Sequence, residues 1–225
     1  SSNQGDTHVD IANYEEEKVT VTDLTVDGNR ANQTVDCHGI RLDTSIRAHI
    51  ARVKITSCRR YGITDQTNNY DTVIEDVESY DHSNGVGNGD GFDFKRSVRL
   101  RITRCYAHDN AGHGFDIRGQ WSSVTDSAAK LNGGVGFSQR MFTVSAEDPD
   151  EAARQEYMHI ANCAAYGNTQ YGFWVEGEPV PDATFIARSV VSGCVAKDNT
   201  ISGFYCEGSN IYHHRDFSRL RLRQI

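Results

Sequence analysis

Proline is scarce in this chain, with 3 residues among 225, so little interrupts a regular backbone ladder. Basic charge is also in deficit: 23 Lys and Arg stand against 31 Asp and Glu, a formal net charge of -8. A nucleic-acid-binding domain needs the opposite balance to neutralise phosphates, which argues against that class. Long apolar runs are missing too. Nothing approaches the roughly 18 consecutive apolar residues of a membrane span, so none is expected. Low-complexity tracts are absent. A hydrophobic content of 37% with mean hydropathy -0.58 leaves enough apolar material for a core. The length fits one large domain or two small ones. The first residues, Ser1-Ser2-Asn3-Gln4, carry neither Met nor an apolar leader, as expected of a mature or trimmed product.

What the chain does have is a repeat. A Gly followed by an apolar residue recurs at Gly39-Ile40, Gly62-Ile63, Gly91-Phe92, Gly114-Phe115, Gly136-Phe137, Gly172-Phe173 and Gly203-Phe204. The shortest intervals are 22 and 23 residues, and insertions explain the longer ones. A second signature keeps step: Ile55/Cys58, Ile74/Val77, Ile102/Cys105, Val124/Ser127, Ile160/Cys163 and Val191/Cys194. Five residues after the later pairs stand His82, Asn110, Asn132, Asn168 and Asn199. Segments such as Val98-Arg99-Leu100-Arg101-Ile102 alternate apolar and polar residues, which is strand periodicity. Leucine-rich repeats share the period but need a Leu pattern that is absent, and propeller blades need longer repeats. The fold expected is all-β: a single-stranded right-handed parallel β-helix of about seven coils, stacked roughly 4.8 Å apart. Residues 1–225 then form one domain, with insertions near 83–89, 143–158 and 176–184 and a tail at 209–225. Within the second insertion, Ser145 to Tyr157 reads as a short capped helix. The Asn column becomes a ladder of stacked amides, and the Phe and Ile/Cys columns fill the interior.

Six cysteines might suggest disulfides, but Cys58, Cys105, Cys163 and Cys194 share one inward column and read as buried thiols. Neighbouring coils leave a bridge between Cys163 and Cys194 open by distance.

The chemistry concentrates after each Gly-Phe. If Phe faces in, Asp93 and Lys95, Asp116 and Arg118, and Ser138 and Arg140 face out. Lys95, Arg118 and Arg140 then stack on three successive coils. Cations that close repel unless something offsets them. The neighbouring Asp column does so in a structural salt-bridge ladder; alternatively the strip is a track for an anionic polymer. Trp174 and Tyr171 would offer sugar-stacking surfaces at one end. The stretch Asp76, Glu78, Asp81, Asn84, Asn88, Asp90, Asp93 is rich in hard oxygen donors of the kind Ca²⁺ takes, or is simply an acidic turn. Removing the C5 proton of a uronic acid requires a base and cationic help for the enolate charge. Lys95, held among Arg118 and Arg140, is expected to have a lowered pKa and to act as that base.

Two family resemblances follow from these residues. Asn88-Gly89-Asp90-Gly91-Phe92-Asp93-Phe94-Lys95 resembles the Asn-x-Asp-Gly-Phe-x-x-Lys segment of family-nine pectate lyases, and Gly114-Phe115-Asp116 with His113 resembles that family's next coil. The resemblance implies Lys95 as the proton-abstracting base and a calcium ion held by Asp81 and Asp90. Asp23-Leu-Thr-Val-Asp-Gly-Asn-Arg30, Tyr61-Gly62-Ile63, Ala107-His-Asp-Asn110 and Val195-Ala-Lys-Asp-Asn199 resemble the repeats of alginate (mannuronan) C5-epimerase modules, over roughly residues 20 to 208. That likeness implies proton-relay roles for Tyr61 and Asp90. The epimerase His is absent, since the chain reads Thr64-Asp65-Gln66-Thr67. Together they imply a secreted protein acting on an anionic polysaccharide of alginate or pectate type. Lys95, Asp90 and Tyr61 are the catalytic candidates. Arg118, Arg140, Asp93, Asp116, His113 and Trp174 are the substrate-binding candidates. Lyase chemistry is favoured, with epimerisation or a non-catalytic glycan-binding or structural β-helix as alternatives. The strand-like tail Arg219-Leu-Arg-Leu-Arg-Gln-Ile225 is expected either to cap the solenoid or to join copies end to end.

Overall fold

A computed structural model describes residues 9–12, 18–85, 88–139, 157–176, 189–207 and 212–213. Among them every strand pairing is parallel. Eight strands stack in one sheet: Val9–Ala12, Ile40–Asp43, Ile63–Asp65, Phe92–Phe94, Phe115–Ile117, Phe137–Gln139, Tyr171–Glu176 and Ser202–Glu207. Between successive members the chain runs through a second, 13-stranded sheet and returns one rung further along. The result is the expected parallel β-helix.

The Phe column forms as the repeat requires. Phe92, Phe115, Phe137, Phe173 and Phe204 stack with centroids 4.5 to 4.9 Å apart and interplanar angles of 2° to 9°. The first four are fully buried. Each such side chain contributes about 1.5–3 kcal/mol by leaving water. Beside it runs an aliphatic column of Ile50, Ile74, Ile102, Val124, Ile160 and Val191.

The amide ladder is also present. Nδ2 of Asn110 donates to Oδ1 of Asn132 at 3.0 Å, Asn132 to Asn168 at 2.9 Å, and Asn168 to Asn199 at 2.8 Å. Each amide also donates to a carbonyl of the preceding coil. His82 heads this ladder: its Nδ1 accepts from Cys58 N–H at 3.1 Å, just as each Asn Oδ1 accepts from the coil before it. Its proton is therefore on Nε2, which faces Ser79 Oγ at 2.9 Å. Burial drives the His82 pKa down to about 3.

One register expectation is corrected. Ile50, not Ile55, pairs with Ile74, and Ile55 pairs with Ser79. Cys58 therefore stands opposite His82 at the head of the amide ladder, outside the column of Cys105, Ser127, Cys163 and Cys194. The long strand His49–Thr56 runs through the bend that splits later coils in two, so counting from one Ile to the next slips there. All six cysteines are free thiols.

The bend itself is a charged column the repeat did not announce. Asp23, Arg52, Asp76, Arg104, Asp126, Asn162 and Gly193 are in register, each left-handed with φ between 51° and 61°. Asp and Asn tolerate that conformation better than most residues. The two arginines are held there by bidentate pairs, Arg52 on Asp23 at 2.6 and 2.7 Å and Arg104 on Asp76 at 2.7 and 2.8 Å. These pairs are exposed, so solvent screens them and they contribute little to stability. Arg140 and the expected helix before Tyr157 lie outside the described residues. So do the insertion beyond Glu176 and the tail, except its strand Tyr212–His213.

Candidate functional site

Strand register builds the site from three adjacent columns. Pairing of Ile63 with Phe92, Phe92 with Phe115, Phe115 with Phe137 and Phe137 with Phe173 aligns every residue just before them. The first column is Arg60, Gly89, Gly112, Gly134 and Gln170. The second is Tyr61, Asp90, His113, Val135 and Tyr171. The third, on the strands themselves, is Thr64, Asp93, Asp116, Ser138 and Trp174. Lys95 and Arg118 stand side by side at the ends of two of these strands.

Between the columns lies a cleft of about 220 Å³, lined by Tyr61, Asn88, Asp90, Lys95, Gly112, His113, Asp116, Arg118, Gly134 and Gln170, among others. The glycines make it possible. A Cβ at Gly112 would sit 2.1 Å from Asp90 Oδ1, and one at Gly134 would sit 2.6 Å from His113 Nδ1.

Three carboxylates, Asp90, Asp93 and Asp116, bring one oxygen each to within 4.8 Å of one another, and all three are buried. Asp93 and Asp116 were expected to face solvent. Instead each is only 2% exposed, folded beneath the cation two residues on: Lys95 Nζ is 3.3 Å from Asp93 Oδ1, and Arg118 Nη2 is 2.5 Å from Asp116 Oδ2. Asp93 Oδ2 also accepts from Thr64 at 3.2 Å, and Oδ1 has no hydrogen-bond donor. Asp90 has no cation of its own. It accepts from His113 N–H at 2.6 Å. Burial, then the neighbouring Asp93 and Asp116, push its pKa up to about 8. Burial also raises the Asp93 pKa.

The lowered pKa expected of Lys95 is not found. Burial is the largest influence and works against its ammonium, but Asp93, Tyr61 and Asp116 together outweigh it and the net shift is upward. Its nearest charge is a carboxylate, not the arginine strip. Asp81 is not with Asp90 either. It binds Arg30, at 3.0 Å from Nη2, and accepts from Ser57. That is the position the left-handed turn gives it.

His113 lines the cleft with its tautomer fixed. Val135 N–H donates to Nδ1 at 2.9 Å, so the neutral ring carries its proton on Nε2. Tyr61 is 6% exposed, stacks on His38 at 5.3 Å, and lies between two cations: Lys95 Nζ is 5.4 Å and Arg60 Cζ 4.9 Å from its ring centroid. Trp174 is two rungs beyond Asp116 in the third column. It packs edge-on to Tyr171 and Tyr205. The structure thus gathers Tyr61, Asp90, Asp93, Lys95, His113, Asp116 and Arg118, places Trp174 along the same track, and leaves Asp81 elsewhere.

Sequence reasoning missed four contributors. Gly112, Gly134 and Gln170 become legible once the Gly-Phe pairs are aligned, because they fall on one column. Asp65 is the fourth. It accepts from Lys95 N–H and Arg96 N–H at 2.8 Å each and from Ser97 Oγ at 2.9 Å, so it clamps the turn that aims Lys95. Burial lifts its pKa to about 6 despite these donors.

With this geometry in place the comparisons can be read. Residues 38–218 match the family model for the right-handed beta helix region, and the chain belongs to that family. No curated protein sequence matches it. Among solved structures it is similar to the Azotobacter vinelandii mannuronan C-5 epimerase AlgE6 A-module, at 15% identity over 90% of this chain and 72% of that one, with a TM-score of 0.52. It is less similar to the catalytic domain of a GH87 alpha-1,3-glucanase in complex with nigerose, at 13% identity, TM-score 0.42, over 87% of this chain and 53% of that one. For pectate lyase Pel9A the identity is 10% and the TM-score 0.39, over 93% of this chain and 68% of that one. At such identities the likeness is one of fold. Among the described residues no helix is long and apolar enough to cross a membrane.

Proposed function

We propose that the protein is an enzyme that abstracts the C5 proton of uronic-acid residues in an anionic polysaccharide outside the cell. One observation carries this reading: a proton-handling column, Tyr61, Asp90 and His113, faces a cation pair, Lys95 and Arg118, across a single cleft. A uronate in that cleft directs its carboxylate to the cations and its C5–H toward the column. The two cations offset the charge that builds on the carboxylate as the proton leaves. His113 offers Nε2–H to the ring; the Asp90 carboxylate takes the C5 proton, the Tyr61 hydroxyl gives one to the opposite face of the carbon, and transfer of the captured proton from Asp90 to Tyr61 restores both groups. Lys95, kept protonated by Asp93, serves this scheme as a cation and not as the base. That favours return of a proton to C5, which is epimerisation, over elimination driven by Lys95.

The donor set fits calcium in that three buried carboxylates converge, each with an oxygen within 4.8 Å of the others. Asp90, Asp93 and Asp116 are the residues that would hold the ion, which would supply further neutralisation of the uronate carboxylate.

The test is to incubate the protein with alginate and with polygalacturonate, with calcium and with chelator. Proton NMR reads inverted C5 centres, and ultraviolet absorbance reads unsaturated ends. Inversion on one polymer supports the reading as stated. Unsaturated product alone keeps C5 abstraction and reassigns the outcome to elimination. Saturable binding without either product makes the protein a glycan-binding module and overturns the enzymatic reading.

A further inference from the structure

Arg60 stands at the end of the glycine column, one rung before Gly89, and no repeat signature marks it. Its guanidinium carbon lies 4.9 Å from the Tyr61 ring centroid. Tyr61 therefore neighbours two cations, of which Lys95 lines the cleft and Arg60 does not. The charge balance differs between them. Lys95 and Arg118 each have a carboxylate of their own. Arg60 shares Asp36 with Arg59, at 3.7 Å from Arg60 Nη1 and 3.9 Å from Arg59 Nε, both beyond hydrogen-bond length. Nε of Arg60 has no hydrogen-bond partner. Two guanidiniums thus share one distant carboxylate at this rim, and Arg60 is also drawn by Tyr61 and Asp93.

Beyond Arg60 the column drops to Gly89, Gly112 and Gly134 before side chain resumes at Gln170. A linear polymer lying along the coil axis meets there the side chains of Asp90 and His113, which occupy the space a Cβ at Gly112 or Gly134 would take. Successive coils are about 4.8 Å apart, of the order of one sugar residue in an extended chain. A carboxylate one residue along from the uronate in the cleft reaches the rim where Arg60 stands.

Building on the proposed function, we infer that Arg60 is a specificity-determining residue that binds the carboxylate of the uronate adjacent to the reacting one. The cleft then selects blocks of consecutive uronates over isolated ones. Arginine suits the task, because its planar fork takes a carboxylate in two parallel hydrogen bonds.

The experiment is isothermal titration of the full chain with mannuronate and galacturonate oligomers of increasing length, from the monouronate upward. Wild-type affinity is expected to climb with length. Arg60→Ala is expected to remove the step from one residue to two, losing about tenfold on the disaccharide and longer oligomers while monouronate binding stays unchanged. Arg60→Lys restores part of the loss. Arg60→Gln, which keeps part of the stem and a polar end while removing the charge, gives the same loss should the alanine variant not fold. A wild-type length dependence in both Arg60→Ala and Arg60→Gln overturns the subsite and leaves the proposed function standing. No binding of any oligouronate by the wild-type chain overturns both.

Discussion

Two columns of this solenoid stack similar groups on successive coils, and they meet opposite fates. In the amide ladder each Asn offers both a donor and an acceptor, so stacking satisfies one residue with the next and the column extends from His82 to Asn199. In the carboxylate column Asp93 sits on Asp116, with Asp90 beside them, and ionised carboxylates only accept. That stack lasts two rungs before Ser138 replaces it, and it requires Lys95, Arg118 and a raised Asp90 pKa to exist at all. A solenoid repeats what is self-complementary. Where it repeats what is not, conformational stability has yielded to chemistry.

The sharpest separation of the two columns comes with acid. His82 is buried neutral, with its pKa depressed from 6.5 to about 3. Its contribution is fully present above pH 6.5 and is lost progressively as pH falls toward 3, by about 5 kcal/mol at the bottom of that window. His82→Asn makes the ladder uniform and removes this loss. The melting-temperature difference between variant and wild type is expected to move in the variant's favour as pH drops from 6.5. A constant difference would show that the ring is not buried neutral.

Phe115→Ala opens the centre of the ring stack and is expected to cost about 3–5 kcal/mol, read by urea unfolding. A loss under about 1 kcal/mol would mean that the interior collapses around the gap.

Asn132→Ala strands the amide groups on both sides of it, and about 2–3 kcal/mol should go in the same assay. Asp90→Asn tests the opposite column and is expected to have the opposite sign. It keeps an acceptor for His113 N–H and removes one of three crowded carboxylates, so stability rises by about 1 kcal/mol while turnover on uronate polymer is lost. An Asp90→Asn variant less stable than wild type would place that carboxylate among the structural groups.

The amide and Phe columns were legible in the sequence because each coil writes the same residue at the same place. Cys58 was misplaced because one long strand, His49–Thr56, carries its bend without a break and shifts the count. At the site, local spacing found Asp93 with Lys95 and Asp116 with Arg118, since partners two residues apart on a strand share a face. It did not find that the carboxylates are buried beneath those cations, because alternation tells which face a residue takes and not what covers it. Asp81 is grouped with Asp90 only by the family resemblance. Its partner is Arg30, 51 residues away, and only the coil register brings the two together.

Deuterium incorporation at C5 is the most direct measurement. The protein is incubated with alginate or polygalacturonate in heavy water, and the polymer is examined by NMR beside samples treated with Asp90→Asn and Tyr61→Phe. C5 abstraction with return of a proton requires deuterium at C5 in the wild-type sample and its loss in both variants. A polymer recovered with all its C5 protons, and no unsaturated ends, would contradict it.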